Sequence, residues 1–591
     1  MDEVRGTHGT TSSPGTAGSG GVAGPSVTAG SADAPDQGGA PSQSAPLGDG
    51  GMTSRGAAAS DGGAPSPGTT GGHRGTLSPR SAPDPGSAPG HGSAAGHGGA
   101  TSSPGVASPA ELMHRHEFFI GGRWIPAPAE SLFKVVSPAT EEVVGEAPLA
   151  GAADIDAAVA AARTAFDDGE WPRTPPAERA AVLERAAEIL RGRTGDIAGV
   201  TVDEMGCAIS QAPRAQTGMV APLFDYYAAL ARTFEFAREV VAGERRGLVT
   251  SEPVGVVAAI VPWNAPVTLS AWKVAPALAA GCTVVIKPPP EAPLSNFVLA
   301  EALAEAGIPP GVVNLVPGDR DAGEHLVRHP GTDKIAFTGS TAAGKRIMSL
   351  CGDQVKRVSL ELGGKSAAIV LEDADLATAI PALVGGGMHL SGQVCGALTR
   401  ILVPRSRYAE AVDAAATTAS QVRVGDPHDP STLVGPLVAR RQRDRVEGYL
   451  AGAVADGARV AAGGGRPPGL PRGWYVEPTI LSDVDNAMRV AREEIFGPVL
   501  CLIPYRDEDE AVRLANDSPY GLAGGVWAGD PARGVRVAKR MRTGSVAVNG
   551  SFPPFPMVPF GGFGQSGLGR ELGPEGLRSF LEPRSIGLPA S

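Results

Sequence analysis

The chain has 591 residues, 51 Lys and Arg against 62 Asp and Glu, and a formal net charge of −11 at pH 7. That length allows three or four structural units, and the acidic balance argues against a nucleic-acid-binding surface. The five cysteines, Cys207, Cys282, Cys351, Cys395 and Cys501, form no CxxC pair, which argues against a disulfide frame or a zinc site and fits a reducing compartment.

Residues 1–110 are built from Gly, Ser, Ala, Pro and Thr and contain no Phe, Trp, Tyr, Ile, Lys or Cys. Such a stretch cannot bury enough apolar surface to offset the entropy of ordering, so it is expected to be a disordered tail. It opens Met1-Asp2-Glu3-Val4-Arg5 with no apolar segment of the kind a secretory leader needs, and no later run reaches membrane-spanning length. The expected location is the cytoplasm, with no membrane partner.

Aromatic and β-branched residues first appear at Glu117-Phe118-Phe119-Ile120. Gly121-Gly122 followed by Trp124-Ile125 predicts a short hairpin there. From about 153 to 231 the pattern is helical, with Ala157, Ala161, Ala165 and Phe166 expected on one face and Ala180, Leu183, Ala187 and Leu190 on another. Pro175-Pro176 sits where the second of these helices would begin.

Strands and helices then alternate. Residues 254–261 (VGVVAAIV) form an almost unbroken apolar run, as a parallel strand buried on both faces requires. A helix is predicted over 270–280, a strand over 283–286, a helix over 296–306 and a strand over 312–316. Leu326 marks a short helix before a strand at 334–337, and 343–349 is helical again. This order predicts a doubly wound, Rossmann-like parallel sheet, which binds ligands at its carboxyl edge. A second α/β series begins at 367–370 and continues through 400–403 and 409–419.

Several residues at predicted strand ends carry chemistry. Gly339-Ser340-Thr341-Ala342-Ala343-Gly344 follows the strand at 334–337, with helix expected from Lys345. A turn opening a helix offers N–H groups and the positive dipole end to a pyrophosphate, though the middle glycine of the usual dinucleotide fingerprint is missing. Lys287 ends a strand, where it can reach a ligand in the crevice or sit solvated on the loop Pro288-Pro289-Pro290-Glu291. Glu361 precedes Gly363-Gly364, and a carboxylate there can serve as a mobile base or as a structural partner of Lys365. Cys395, in Ser391-Gly392-Gln393-Val394-Cys395-Gly396, can attack only as a thiolate. Asn264, after Pro262-Trp263, carries the kind of neutral amide that stabilises an oxyanion; the same residue also suits an Asx turn.

From about 117 to 586 the sequence resembles the aldehyde dehydrogenase superfamily of the hydrolytic, NAD(P)-dependent type. The matching stretches are Val261-Pro262-Trp263-Asn264, Phe337-Thr338-Gly339-Ser340, Glu361-Leu362-Gly363-Gly364-Lys365, Gly392-Gln393-Val394-Cys395, Glu493-Glu494-Ile495-Phe496-Gly497-Pro498 and Pro559-Phe560-Gly561-Gly562. The resemblance implies that Cys395 attacks the aldehyde, that Asn264 and the Cys395 N–H hold the oxyanion, and that Glu361 activates water against the thioester. It assigns cofactor contacts to Trp263, Lys287, Glu291, Gly339, Ser340, Gly344, Leu362, Glu494 and Phe496, and needs no metal. Pro290 stands where NAD-using relatives often carry a glutamate, and Glu291 comes one residue later. NAD is the expected cofactor, with NADP left open. Glu361 argues against the coenzyme-A-acylating branch and for a free acid as product.

By the same resemblance the substrate funnel comprises Ala265, Leu269, Trp272, Val394, Gly396, Phe552 and Phe560, with Pro553-Pro554-Phe555 beside Phe552. It is apolar, so an aliphatic or aromatic aldehyde is the expected substrate, and Ala265 suggests a roomy entrance. The implied organisation is a dinucleotide-binding domain at 117–233 and 253–363, a catalytic domain at 364–564, and a small β oligomerisation arm at 234–252 and 565–591. A homodimer or homotetramer is implied. The alternative is a non-catalytic binding or scaffold protein that keeps the fold; the joint presence of Asn264, Glu361, Cys395 and Glu494 argues against it. An esterase reaction of the same thiolate would be a side activity.

A chain beginning at Ala110 is expected to keep the melting transition and aldehyde-oxidising rate of the full protein. Loss of cooperative thermal unfolding in that chain would show that residues 1–110 contribute to the fold.

Overall fold

The computed structural model describes residues 109–589; the tail expected over 1–110 lies, but for its last two residues, outside them. Two parallel-rich sheets dominate. The first has eight strands, and its five parallel strands run in the spatial order Arg357–Glu361, Lys334–Thr338, Val256–Ile260, Thr283–Lys287, Val313–Leu315. The hairpin Glu117–Ile120/Arg123–Pro126 adds antiparallel strands at one edge and Gly567–Leu568 adds one at the other. Gly121 and Gly122 carry the positive φ angles, 62° and 77°, that the two-residue turn demands.

All five residues of Val256–Ile260 and of Thr283–Lys287 are buried, because helices cover both faces. Side chains alternate between two cores: Val257, Ala259, Val284 and Ile286 face one, and Val256, Ala258, Ile260 and Val285 the other. The second sheet has seven strands in the order Arg459–Ala462, Thr479–Ser482, Val499–Tyr505, Arg400–Pro404, Ala367–Val370, Ala523–Trp527, Ser545–Val548. It repeats the alternation, with Ile369, Leu402 and Cys501 on one side and Ala368, Ile401 and Leu500 on the other.

Three expectations shift. The alanine-rich helix Ala152–Asp167 buries Ile155, Ala158, Val159, Ala162 and Ala165, so Ala157 lies off the core face and Ala161 at its edge. Ile155 and Val159 set that face because they carry more apolar area than the alanines around them. The helix expected over 270–280 begins at Pro266, since proline at the first helical position has its φ already set and needs no N–H there. The helix after the glycine turn starts at Thr341 rather than Lys345, because the Ser340 hydroxyl caps it by accepting from Ala343 N–H.

The arm strands Ala237–Ala242 and Arg245–Pro253 pair with each other, and Leu581–Leu588 lies across the second of them. Within 565–591 only that last strand joins the arm sheet. Gly567–Leu568 pairs with Arg357–Glu361 of the first sheet, and the short helix Gly573–Arg578 contributes Leu577 to its core. Phe234 and Phe236 stack edge to face at 4.8 Å where the arm leaves the body.

Arg400 shows how the second sheet is locked. It is 1% exposed, and its guanidinium donates to the carbonyls of Lys365, Leu514 and Ala515 and to Asn486 Oδ1. Replacing it with Met would strand those buried acceptors. A loss of about 3 kcal/mol is expected, read as a lower urea midpoint at unchanged slope.

Candidate active site

Cys395 sits in a turn between the short helix His389–Gly392 and the strand Arg400–Pro404. That turn is wound unusually: Leu390, Ser391 and Gly392 have φ of 49°, 57° and 71°, three left-handed residues in succession. At the third only glycine fits, since a Cβ would collide with the carbonyl of Gly497. Surrounding groups hold the wound turn: Leu390 N–H donates to Gln211 Oε1 at 2.8 Å, and Ser391 Oγ donates to Gly435 O at 2.9 Å. Gln393 N–H closes back on Leu390 O, and Gln393 Oε1 accepts from Val438 N–H.

Asn264 reaches this turn from the first sheet, beyond the end of strand Val256–Ile260. Its side-chain Nδ2 donates to Gln393 O at 3.0 Å, two residues before the thiol. One amide hydrogen is spent on that bond, and the planar NH₂ group has a second to offer. The position is buried, so the donor is both fixed and partly dry.

Glu361 ends its strand 5% exposed, and its Oε2 has no hydrogen-bond partner. It does not pair with Lys365, whose buried Nζ also lacks a partner. Burial, then the neighbouring Glu571, hold its carboxyl well above the ordinary range, opposed by Lys273 and Arg570. Lys273 and Glu571 were not legible as site residues in the sequence. Lys273 is fully buried and donates to Glu571 Oε1 at 2.7 Å and to Thr338 Oγ1 at 2.6 Å. The available signal was a single cation inside the otherwise apolar helix Pro266–Ala280; Glu571 carries no local signal at all.

Glu494 accepts from Gly364 N–H at 3.0 Å, and a Cβ at Gly363 would collide with its carboxylate. Burial lifts its carboxyl to about 7, against the pull of Gly364 N–H, Arg445 and Lys365. Phe496, in a left-handed conformation at φ 63°, meets Trp263 edge to face at 5.2 Å. Lys287 is not a solvated lysine: it is 5% exposed, with Nζ donating to Gly318 O at 2.5 Å. Burial brings its pKa down to about 8. Glu291 pairs with Arg441, and its charge, with that of Asp319, opposes the effect of burial on Lys287.

Gly339 and Ser340 form the turn itself. Gly344 is the fourth residue of the helix, where a Cβ would collide with the Leu362 side chain; its absence lets Leu362 pack close against the helix. Among the funnel residues, Ala265, Leu269 and Trp272 follow one another along the start of Pro266–Ala280, and Trp272 meets Phe560 edge to face at 5.2 Å. Phe552 and Phe555 stack at 5.6 Å and line a crevice with Pro554, Pro559 and Phe560. Val394 and Trp263 pack against a cluster containing Leu390 and Val438; Gly396 follows Cys395 directly.

Comparison with known proteins gives the family. The model of the "Aldehyde dehydrogenase family" matches residues 124–586. The chain belongs to the aldehyde dehydrogenase family. It is an oxidoreductase that takes an aldehyde to the acid with NAD(P). Similar proteins include a geranial dehydrogenase of Castellaniella defragrans, 48% identical over 80% of this chain and 98% of that one. A 3-succinoylsemialdehyde-pyridine dehydrogenase of a Pseudomonas species is 44% identical over the same shares. Among solved aldehyde dehydrogenases, that of Mycobacterium tuberculosis with NAD+ has a TM-score of 0.79 at 46% identity, covering 81% of this chain and 99% of its own. A mutant aldehyde dehydrogenase C of Pseudomonas syringae with NAD+ and octanal has 0.77 at 44% identity, covering 80% and 96%. Among the described residues, no helix is long and apolar enough to cross a membrane.

The surroundings of Cys395 make a pH test direct. Burial, then the Glu494 and Glu361 carboxylates, push its thiol up to about 12, so the neutral thiol is the resting form. Without nicotinamide, alkylation by iodoacetamide should therefore rise about tenfold per pH unit from 7 to 10 with no plateau. Levelling below pH 8 would show an activated thiolate already present.

Proposed function

We propose that this aldehyde dehydrogenase works through Cys395, Asn264 and Glu361 on apolar aldehydes. The observation that carries the reading is the Asn264–Gln393 bond, which brings an amide donor of one sheet to the nucleophile turn of the other. In this reading the Cys395 thiol loses its proton to solvent, the Sγ thiolate attacks the aldehyde carbon, and the new oxyanion accepts from Asn264 Nδ2 and the Cys395 N–H. When bound, the nicotinamide supplies the acceptor for the aldehyde hydride. The thioester left on Cys395 is hydrolysed by a water that loses its proton to Glu361. Burial suits Glu361 to that step, because a carboxyl held above its ordinary range is a stronger base once ionised.

We assign the dinucleotide to the domain of the first sheet and the thiol to the domain of the second, with Asn264 and Glu361 supplied by the first and Glu494 and Phe496 by the second. The capped helix start at Ser340, beside Gly339, fits a pyrophosphate. Lys287 and Glu494 fit the two riboses, with Trp263 and Phe496 against the ring region and the Gly344–Leu362 contact shaping the floor. NAD is the favoured cofactor. Because Glu291 is engaged by Arg441, it repels a 2′-phosphate only weakly, and slower turnover with NADP is expected. The aromatic pairs Trp272–Phe560 and Phe552–Phe555 favour a hydrophobic chain, in line with geranial and octanal among the relatives' names. Ala265 and Leu269 leave the entrance free of bulky aromatic groups. The outer arm strand Ala237–Ala242 is exposed along its length, Val241 at 63%, and suits edge pairing in a homodimer or homotetramer.

The test follows reduced nicotinamide by absorbance with octanal, geranial and benzaldehyde against succinic semialdehyde, using NAD and NADP separately. The apolar aldehydes should have the higher kcat/KM. Cys395→Ser should abolish nearly all turnover, and Asn264→Ala should lower kcat roughly 10²–10³-fold. Glu361→Gln should keep the first burst of reduced nicotinamide and slow the steady state. Full turnover in Cys395→Ser would refute the mechanism, and preference for the semialdehyde would refute the substrate class.

A further inference from the structure

We propose that Gln216 is a positioning residue that holds Asn264 in line with Cys395. The proposal rests on Asn264 being the oxyanion donor. Gln216 lies in the π-helical turn Pro213–Thr217 and is completely buried. Its Nε2 donates to Asn264 O at 3.0 Å, and its backbone carbonyl accepts from Thr268 Oγ1 at 2.8 Å. The two bonds grip the start of helix Pro266–Ala280 from both sides of its first turn.

The Asn264 carbonyl is the one that needs this help. The helix ladder begins one residue later, with Leu269 N–H donating to Ala265 O, and Ala265 has the non-helical φ and ψ of −150° and 65°. Without Gln216 the carbonyl of a buried residue would lose a donor, and the peptide that aims the Asn264 side chain would be free to turn.

The same segment also reaches the nucleophile. Five residues earlier in the chain, Gln211 Oε1 accepts from Leu390 N–H at the first of the three left-handed residues. Gln393 then returns the link by accepting from Asn264 Nδ2. A closed circuit therefore runs Gln211, Leu390, Gln393, Asn264, Gln216, and both the thiol-bearing turn and the donor are registered to one stretch of chain.

A packing role alone would favour a different residue. Gln216 sits among apolar neighbours, with Nε2 3.4 Å from Met205 Sδ and an Oε1 that has no partner. A buried amide oxygen left unpaired is a cost that Met or Leu would remove. The donor it supplies to Asn264 gives that cost a purpose.

Gln216→Met tests this, since it keeps length and burial and removes the donor. We expect kcat for octanal oxidation and for p-nitrophenyl acetate hydrolysis to fall together, by roughly tenfold to hundredfold, because both pass through an oxyanion. KM for octanal and the rate of Cys395 alkylation by iodoacetamide, which forms no oxyanion, should each stay within about twofold. In an Asn264→Ala background, Gln216→Met should add less than about a twofold further loss, as expected for a residue acting through Asn264. Thr268→Val, which removes only the bond to the Gln216 carbonyl, should lower kcat about threefold and serves if Gln216→Met does not fold. Unchanged kcat in either single variant, or full additivity in the double variant, would overturn the proposal. Unchanged kcat in Asn264→Ala would instead remove the oxyanion reading, and the proposal with it.

Discussion

One hydrogen bond, from Asn264 Nδ2 to Gln393 O, holds together the two halves of the chemistry. The donor comes from beyond a strand end of the first sheet and the thiol from a turn of the second. Neither sheet alone has both. A doubly wound sheet leaves its ligand crevice outside its carboxyl edge, so each sheet can bring its strand-end residues only to its own rim. Residues from two rims can share a reacting atom only if something sets their register. A displacement of about 1 Å would take an oxyanion donor out of range. The left-handed winding of Leu390–Gly392 is sustained by the Gln211 and Ser391 bonds for the same reason.

The second organising force is desolvation. Glu361, Glu494, Lys287 and Cys395 are all displaced toward their neutral forms, and in each case burial is the largest cause. Lys287 and Glu361 are buried and Glu494 and Cys395 half-buried, which leaves their ionisation poised to respond to ligands. Partners are rationed: Glu494 has one backbone N–H, Lys287 has two carbonyls, and Glu361 Oε2 has none. Behind Glu361 the buried Lys273–Glu571 pair brings opposite charges to its surroundings, so the carboxyl senses both signs at once. Groups held in this way can change protonation during turnover, whereas a fully paired salt bridge would resist it.

Much of this was legible in the sequence. Unbroken apolar runs such as 254–261 announced buried parallel strands, and strand-end positions located Asn264, Lys287, Glu361 and the glycine turn. Boundaries were less legible where a cap decided them, as at Pro266 and Ser340. Gly344 was read as part of a phosphate turn, whereas it lies within the helix and clears space for Leu362. Lys287 and Glu291 were read as cofactor contacts of one loop; in the structure Lys287 donates to carbonyls and Glu291 pairs with Arg441, 150 residues away in sequence. Lys273, Glu571 and Gln216 escaped because their partners lie far along the chain, and periodicity cannot report such pairs.

By itself, the sequence determined the fold class and the family, and it singled out the strand-end residues from which the site is proposed. Those follow from local hydrophobic period, turn chemistry and residue type, all of which are short-range properties. Tertiary structure alone decided which of these groups touch, which are dry, and which way each points. Register between Asn264 and the Cys395 turn, the unpaired state of Glu361 and the pairing of Glu291 with Arg441 depend on contacts between distant segments. Burial and field arise only when those segments pack, because a charge has no dry environment until another part of the chain excludes the water.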